Sequence, residues 1–85
     1  MRPVTVYTDE ICTLCHSVEN LLNVREIPYE KVMITPGSDE HEKLAERSGG
    51  YKALPQVYIG NLLLGGYQET LAADQAGMLA DLLVE

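Results

Sequence analysis

An α/β domain with a four-stranded mixed sheet and three helices is the fold this sequence predicts, on three observations. Strand-like and helix-like patterns follow one another in the order βαβ and then ββα. The strand-helix-strand opening calls for a right-handed crossover, with its two strands parallel. The chain has 85 residues and no repeat, linker or composition shift, so residues 1–85 are read as one domain of modest core.

Val4-Thr5-Val6-Tyr7 alternates apolar and polar side chains rich in β-branching, which predicts a strand ending near Thr8. From Cys12 to about Val24, Cys15, Val18, Leu21 and Leu22 recur at helical spacing, with Ser17, Glu19 and Asn20 between them. That is an amphipathic helix opening at the first cysteine. Tyr29 to Ile34 reads as a second strand, partly exposed at Glu30 and Lys31, and Thr35-Pro36-Gly37 breaks it. Ser38 is the expected N-cap of a surface helix that carries Asp39 and Glu40 in its first turn, runs to Ser48 and stops at Gly49-Gly50. Gln56–Ile59 and Leu62–Leu64 flank Gly60-Asn61, a dipeptide that accepts the positive φ angles of a hairpin turn. After Gly65-Gly66, one helical stripe of Leu71, Met78, Leu79, Leu82 and Leu83 reaches the end of the chain. A sheet with helices on both faces buries every one of these stripes, which is the thioredoxin-like arrangement.

Six Lys and Arg against thirteen Asp and Glu leave a net charge of −7. Such a surface repels phosphate backbones and anionic lipid, which argues against nucleic acid and membrane as partners. Apolar runs stay as short as Leu62-Leu63-Leu64, and Met1-Arg2-Pro3 leads into strand-like residues rather than a signal h-region. A soluble, cytoplasmic protein is expected.

The chemistry concentrates in Cys12-Thr13-Leu14-Cys15, whose two cysteines are too close in sequence to staple distant parts of a scaffold. At a helix N-terminus, free backbone N–H groups and the macrodipole favour a Cys12 thiolate, which makes Cys12 the nucleophile. Cys15, a turn further along the apolar face, is placed to attack the mixed disulfide formed at Cys12 and act as the resolving thiol. Three other readings compete. Two buried cysteines can simply fill space. Cys12 to His16 also spells the attachment string of a c-type haem, with Met33 or Met78 as a second axial ligand. Cys12, Cys15, His16 and His41 carry zinc-ligating atoms, but without a second close-spaced pair. Pro55 either opens a strand plainly or forms a cis bond that turns the preceding backbone toward Cys12, where it can pair with an extended substrate.

In order along the chain, Val6-Tyr7-Thr8, the two cysteines with His16, Ile27-Pro28-Tyr29-Glu30, Arg47-Ser48-Gly49, Leu54-Pro55-Gln56-Val57-Tyr58-Ile59-Gly60, Gly65-Gly66 and Leu71-Ala72-Ala73-Asp74 resemble a glutaredoxin. The resemblance implies a thiol-disulfide oxidoreductase that uses glutathione as reducing co-substrate, with no tightly bound cofactor, and acts on protein disulfides or protein–glutathione mixed disulfides. It implies that Leu54 beside Pro55 pairs its backbone with the cysteinyl part of glutathione. Tyr67 and Gln68, after Gly66, would hold the γ-glutamyl end at a helix terminus. Thr13 and Leu14 complete the binding set, and His41 or Lys52 would meet the glycyl carboxylate. A monomer is expected.

The sequence also departs from the family pattern. Thr13 and Leu14 replace the usual Pro and Tyr, Asp9 with Glu10 stands where a lysine is common, and Tyr67, Gln68 and Glu69 follow the Gly-Gly pair in place of a cysteine and two aspartates. One extra residue falls around Gly50-Tyr51. Glutaredoxin-like redoxins, which take electrons from thioredoxin reductase and pass them to ribonucleotide reductase, also lack the Pro-Tyr pair. They supply a second functional reading, and a non-enzymatic iron–sulfur carrier on the same fold supplies a third.

Overall fold

The computed structural model describes residues 2–10, 12–50 and 53–84. Its elements are β1 (Val4–Thr8), α1 (Thr13–Val24), β2 (Glu30–Met33), α2 (Asp39–Arg47), β3 (Gln56–Ile59), β4 (Leu62–Gly65), α3 (Tyr67–Gln75) and α4 (Met78–Leu83). The strands lie in the order β2-β1-β3-β4, with β1 parallel to β2 and antiparallel to β3, and β3 antiparallel to β4. This is the mixed, thioredoxin-like sheet that the element order predicts.

Side-chain alternation divides the core between the two faces. Val4 and Val6 of β1 with Val57 and Ile59 of β3 pack against Val18 and Leu22 of α1, Ala73 of α3, and Leu79 and Leu83 of α4. The intervening residues point the other way: Tyr58 joins Ile34 and Leu44 of α2, with Tyr7, Val32, Leu54 and Leu63 around them. Central β3 is buried along its whole length, whereas edge strand β2 exposes Glu30 and Lys31. The thin stripe of α2 is real, since Leu44 and Ala45 are its buried residues, and Ser38 caps it through its Oγ, which accepts from His41 N at 3.3 Å.

The C-terminal stripe continues as predicted but the helix does not, so the described residues form four helices where three were expected. Gly77 adopts φ +72° between α3 and α4. That left-handed conformation, accessible to glycine without a Cβ clash, ends α3 and re-aims the chain. The turn brings Leu79 and Leu83 onto the Val4 and Val6 cluster, and Leu83 O accepts from Arg2 N at 2.9 Å. In α3 itself the buried residues are Thr70 and Ala73, with Leu71 only partly covered. Arg25, just past α1, grips Asp74 of α3 through two bonds of 2.8 and 3.0 Å, and this partner raises the Arg25 pKa. Among the described residues no helix is long and apolar enough to cross a membrane.

Candidate active site

Cys12 is the N-cap of α1, with φ −91° and ψ 108°, and its Sγ accepts a hydrogen bond from the Cys15 backbone N–H at 3.0 Å. N-caps usually offer a hydroxyl or carboxylate to this orphan donor, and here a sulfur takes that place. Any negative charge on the sulfur is therefore met by an N–H dipole and by the positive end of the helix, and no acidic residue occupies the first turn of α1. Cys12 is half-buried and Cys15 is 1% exposed, on the core side of the helix with Val18 and Leu22. The Cα atoms are 5.2 Å apart and the two sulfurs form a disulfide. One sulfur can thus meet a macromolecule while the other meets only its neighbour.

The sheet register explains what surrounds Cys12. Tyr7 pairs with Gln56, Thr8 with Met33, and Val57 with Gly65. The end of β1, the start of β3, the end of β4 and the end of β2 consequently lie along one edge of the sheet. The loop to Cys12, Leu54-Pro55 and Gly65-Gly66 all emerge there. The Leu54–Pro55 bond is cis, as expected for the second reading of this proline. A cleft of about 230 Å³ between these segments is lined by Leu14, Leu54, Pro55, Gly66, Tyr67 and Gln68, together with Ala53 and Glu69. Six residues singled out in the sequence therefore share one cleft. Thr13 is exposed on the first turn of α1 and is not part of that lining.

Glu69, marked in the sequence only as a departure from the family pattern, has a role that the sequence reading did not assign. Its Oε1 accepts from Gly66 N at 3.3 Å, completing a cap at the start of α3, and Thr70 Oγ1 donates to Gly66 O at 2.8 Å. The signal was present as an acidic residue three positions after an N-cap glycine, which is the capping-box spacing. A consequence follows for ligands, because one N–H at this helix terminus already has a carboxylate partner.

On the β2 side of the end of β1 lies a second cleft, about 270 Å³, lined by Asp9, Glu10, Met33, Ile34, Thr35 and Pro36. His41 is at the start of α2, where its Nδ1 accepts from Gly37 N at 3.1 Å. His16 is exposed on α1, with Nδ1 3.7 Å from Glu19, whose other oxygen is 3.1 Å from Lys31 Nζ. Cys12, Cys15, His16 and His41 do not converge, and among the described residues no group of three or more His, Cys, Asp or Glu is arranged to hold a metal ion. Lys52, the other candidate for the glycyl carboxylate, lies outside the described residues.

A Cys-x-x-Cys disulfide at a helix N-terminus, on a thioredoxin-like sheet whose β3 follows a cis proline, defines a thiol-disulfide oxidoreductase. The comparisons narrow the class. The family model for glutaredoxin matches residues 4–64, and the chain belongs to the glutaredoxin family. Glutaredoxin 3 of Escherichia coli K12 is 31% identical over 83 residues, spanning 98% of this chain and 99% of that protein. Glutaredoxin 1 of Rickettsia conorii is 31% identical over 84 residues, covering 98% and 82% respectively. Among solved structures, a buckwheat glutaredoxin–glutathione complex superposes with a TM-score of 0.85 over 96% of this chain and 76% of that one, at 24% identity, and so shares the fold.

Proposed function

We propose that this protein is a cytoplasmic, monomeric dithiol glutaredoxin that reduces protein disulfides and protein–glutathione mixed disulfides with glutathione as electron donor. The observation that carries the reading is a half-buried Cys12 sulfur at the cap of α1, 3.0 Å from the Cys15 N–H, beside a cleft that unites Leu14, Leu54, Pro55, Gly66, Tyr67 and Gln68. The Cys12 thiolate attacks one sulfur of the substrate disulfide, a Cys12–substrate disulfide forms, and the other substrate sulfur leaves as a thiol after taking a proton. Cys15 then loses its proton and attacks Cys12 Sγ. The second substrate sulfur departs as a thiol, and the substrate has gained the two electrons that the Cys12 and Cys15 thiols gave up in forming their disulfide. One glutathione thiolate reopens that disulfide at Cys12, and a second displaces it as oxidised glutathione.

In this reading the Leu54 backbone pairs with the cysteinyl part of glutathione, and Tyr67 and Gln68 present the N-terminus of α3 to the γ-glutamyl carboxylate. A buckwheat glutaredoxin of the same fold has been solved with glutathione, which supports glutathione as the co-substrate. A second reading has its own observations. Glu69 already accepts from Gly66 N–H, and Asp9 with Glu10 puts negative charge on the β2 side of the end of β1, so an anionic tripeptide gains less here. Those features favour a redoxin reduced by thioredoxin reductase and donating to ribonucleotide reductase.

A coupled assay on a disulfide peptide, with NADPH oxidation followed, separates them. One arm contains glutathione and glutathione reductase, the other thioredoxin reductase alone. Turnover in the first arm is expected. Turnover confined to the second arm overturns the glutathione reading and establishes the alternative.

A further inference from the structure

Building on the dithiol reading above, we propose that the cleft on the β2 side of the end of β1 receives a lysine or arginine that flanks the reactive cysteine of a protein substrate, and so selects basic disulfide sites. The cleft is lined by the apolar residues Met33, Ile34 and Pro36 and by two acidic residues, Asp9 and Glu10. Lysine and arginine have that same composition, an apolar stem that covers hydrocarbon and a charged head that seeks an acid. Met33 is 48% exposed, large and flexible, which suits a wall that must fit stems of different shape.

The cleft is mechanically tied to the reacting sulfur. Ile34 N donates to Thr8 O at 2.7 Å, and Met33 is in register with Thr8. Asp9 and Glu10 follow Thr8 directly and lead toward Cys12. A side chain seated between Met33 and Glu10 therefore sits at the C-terminal end of β1, and Glu10 stands two residues before Cys12 in sequence. The net charge of −7 attracts basic proteins to any part of this molecule, and the cleft converts that diffuse attraction into a preference for one orientation.

The test uses disulfide-linked peptide dimers that differ only beside the cysteine, with Lys, norleucine or Glu at that position, and stopped-flow rates of their reduction by the pre-reduced protein. At low salt the Lys peptide is expected to react about tenfold faster than the Glu peptide, and the ratio should fall to about twofold in 0.5 M salt. Asp9→Asn with Glu10→Gln should bring the low-salt ratio close to one. Because each ratio is taken within one protein, any change in the reactivity of Cys12 itself cancels. Met33→Ala should reduce the advantage of Lys over its short analogue diaminopropionate. Equal rates for Lys and Glu peptides in the unmodified protein, or a ratio that persists in the double variant, overturn the proposal, the latter by assigning the preference to overall charge. Failure to reduce the norleucine peptide overturns the dithiol reading instead, so the two failures are distinguishable.

Discussion

Gly65→Ala tests whether the turn from β4 into α3 is set by glycine, as its geometry requires. Gly65 is buried with φ +128°, and a Cβ there would lie 2.8 Å from Glu69 Cβ, 2.8 Å from Cγ and 2.9 Å from Oε1. The backbone conformation alone costs a side-chain-bearing residue about 1–3 kcal/mol. Oε1 can swing away, but at the expense of its bond to Gly66 N, about 1 kcal/mol. Cβ cannot move without the first turn of α3. Together these predict a loss of about 2–4 kcal/mol, or roughly 10–25 °C in Tm for a domain of this size. The assay is urea unfolding of wild type, Gly65→Ala, Glu69→Gly and the double variant. Glu69→Gly removes all three clashing atoms, so Gly65→Ala should cost about 1 kcal/mol less in that background. Since α3 forms one wall of the cleft, kcat/KM toward a glutathionylated peptide should fall with the single substitution. A loss below about 0.5 kcal/mol, or the same loss in both backgrounds, refutes the reasoning.

Further outcomes follow from the same geometry. Cys12→Ser should abolish turnover, whereas Cys15→Ser should still exchange with a small glutathione mixed disulfide and lose dithiol reduction; the opposite pattern, read by trapping and mass spectrometry, reverses the roles. Tyr58 is 2% exposed, and its hydroxyl has no hydrogen-bond partner among the described residues, although Tyr7 stacks edge-on at 5.5 Å and Arg47 lies 4.4 Å from its ring centre. Tyr58→Phe keeps both ring contacts and should be neutral or up to about 1 kcal/mol stabilising, so a clear destabilisation in thermal unfolding contradicts the unpaired assignment. Asp9→Lys should speed iodoacetamide alkylation of Cys12 and lower the apparent KM for glutathione at low salt, with both differences shrinking as salt rises; identical values at low salt remove Asp9 from the electrostatics of the site.

What was legible in the sequence was whatever one residue type decides locally. The capping Ser38, the hairpin at Gly60-Asn61, the helix opening at Cys12 and the cis proline each depend on a side chain's own conformational or hydrogen-bonding demands, and each stands where expected. The break at Gly77 was missed because the apolar stripe runs straight through it: periodicity reports which residues face the core, not whether the axis is continuous. Burial of Thr70 and Ala73 in place of Leu71 has a related cause. The face that α3 presents is fixed by the Gly66 cap and by the Arg25–Asp74 clamp from α1, a pairing 49 residues apart in sequence. The cleft beside Met33 was illegible for a simpler reason, since Thr8 and Met33 meet only through strand pairing.

That pairing shapes the electrostatics of the site. β1 lies between β2 and β3, and one cleft lies along its β2 side at Met33 and Ile34 while the other lies toward β3 at Leu54 and Pro55. Helix α1 supplies attraction for a thiolate through the Cys15 N–H, a fixed dipole at 3.0 Å that does not depend on a flexible side chain. Asp9 and Glu10 supply repulsion, but from a solvent-facing rim where water and ions weaken it. If Cys12 is the nucleophile as proposed, the short-range contact should contribute most to its reactivity, and the screened carboxylates should modulate that weakly while biasing what is drawn toward it. On the proposed reading, substitution at the acidic rim should therefore redirect the protein among substrates while changing the reactivity of Cys12 only modestly, because the N–H contact at the cap remains.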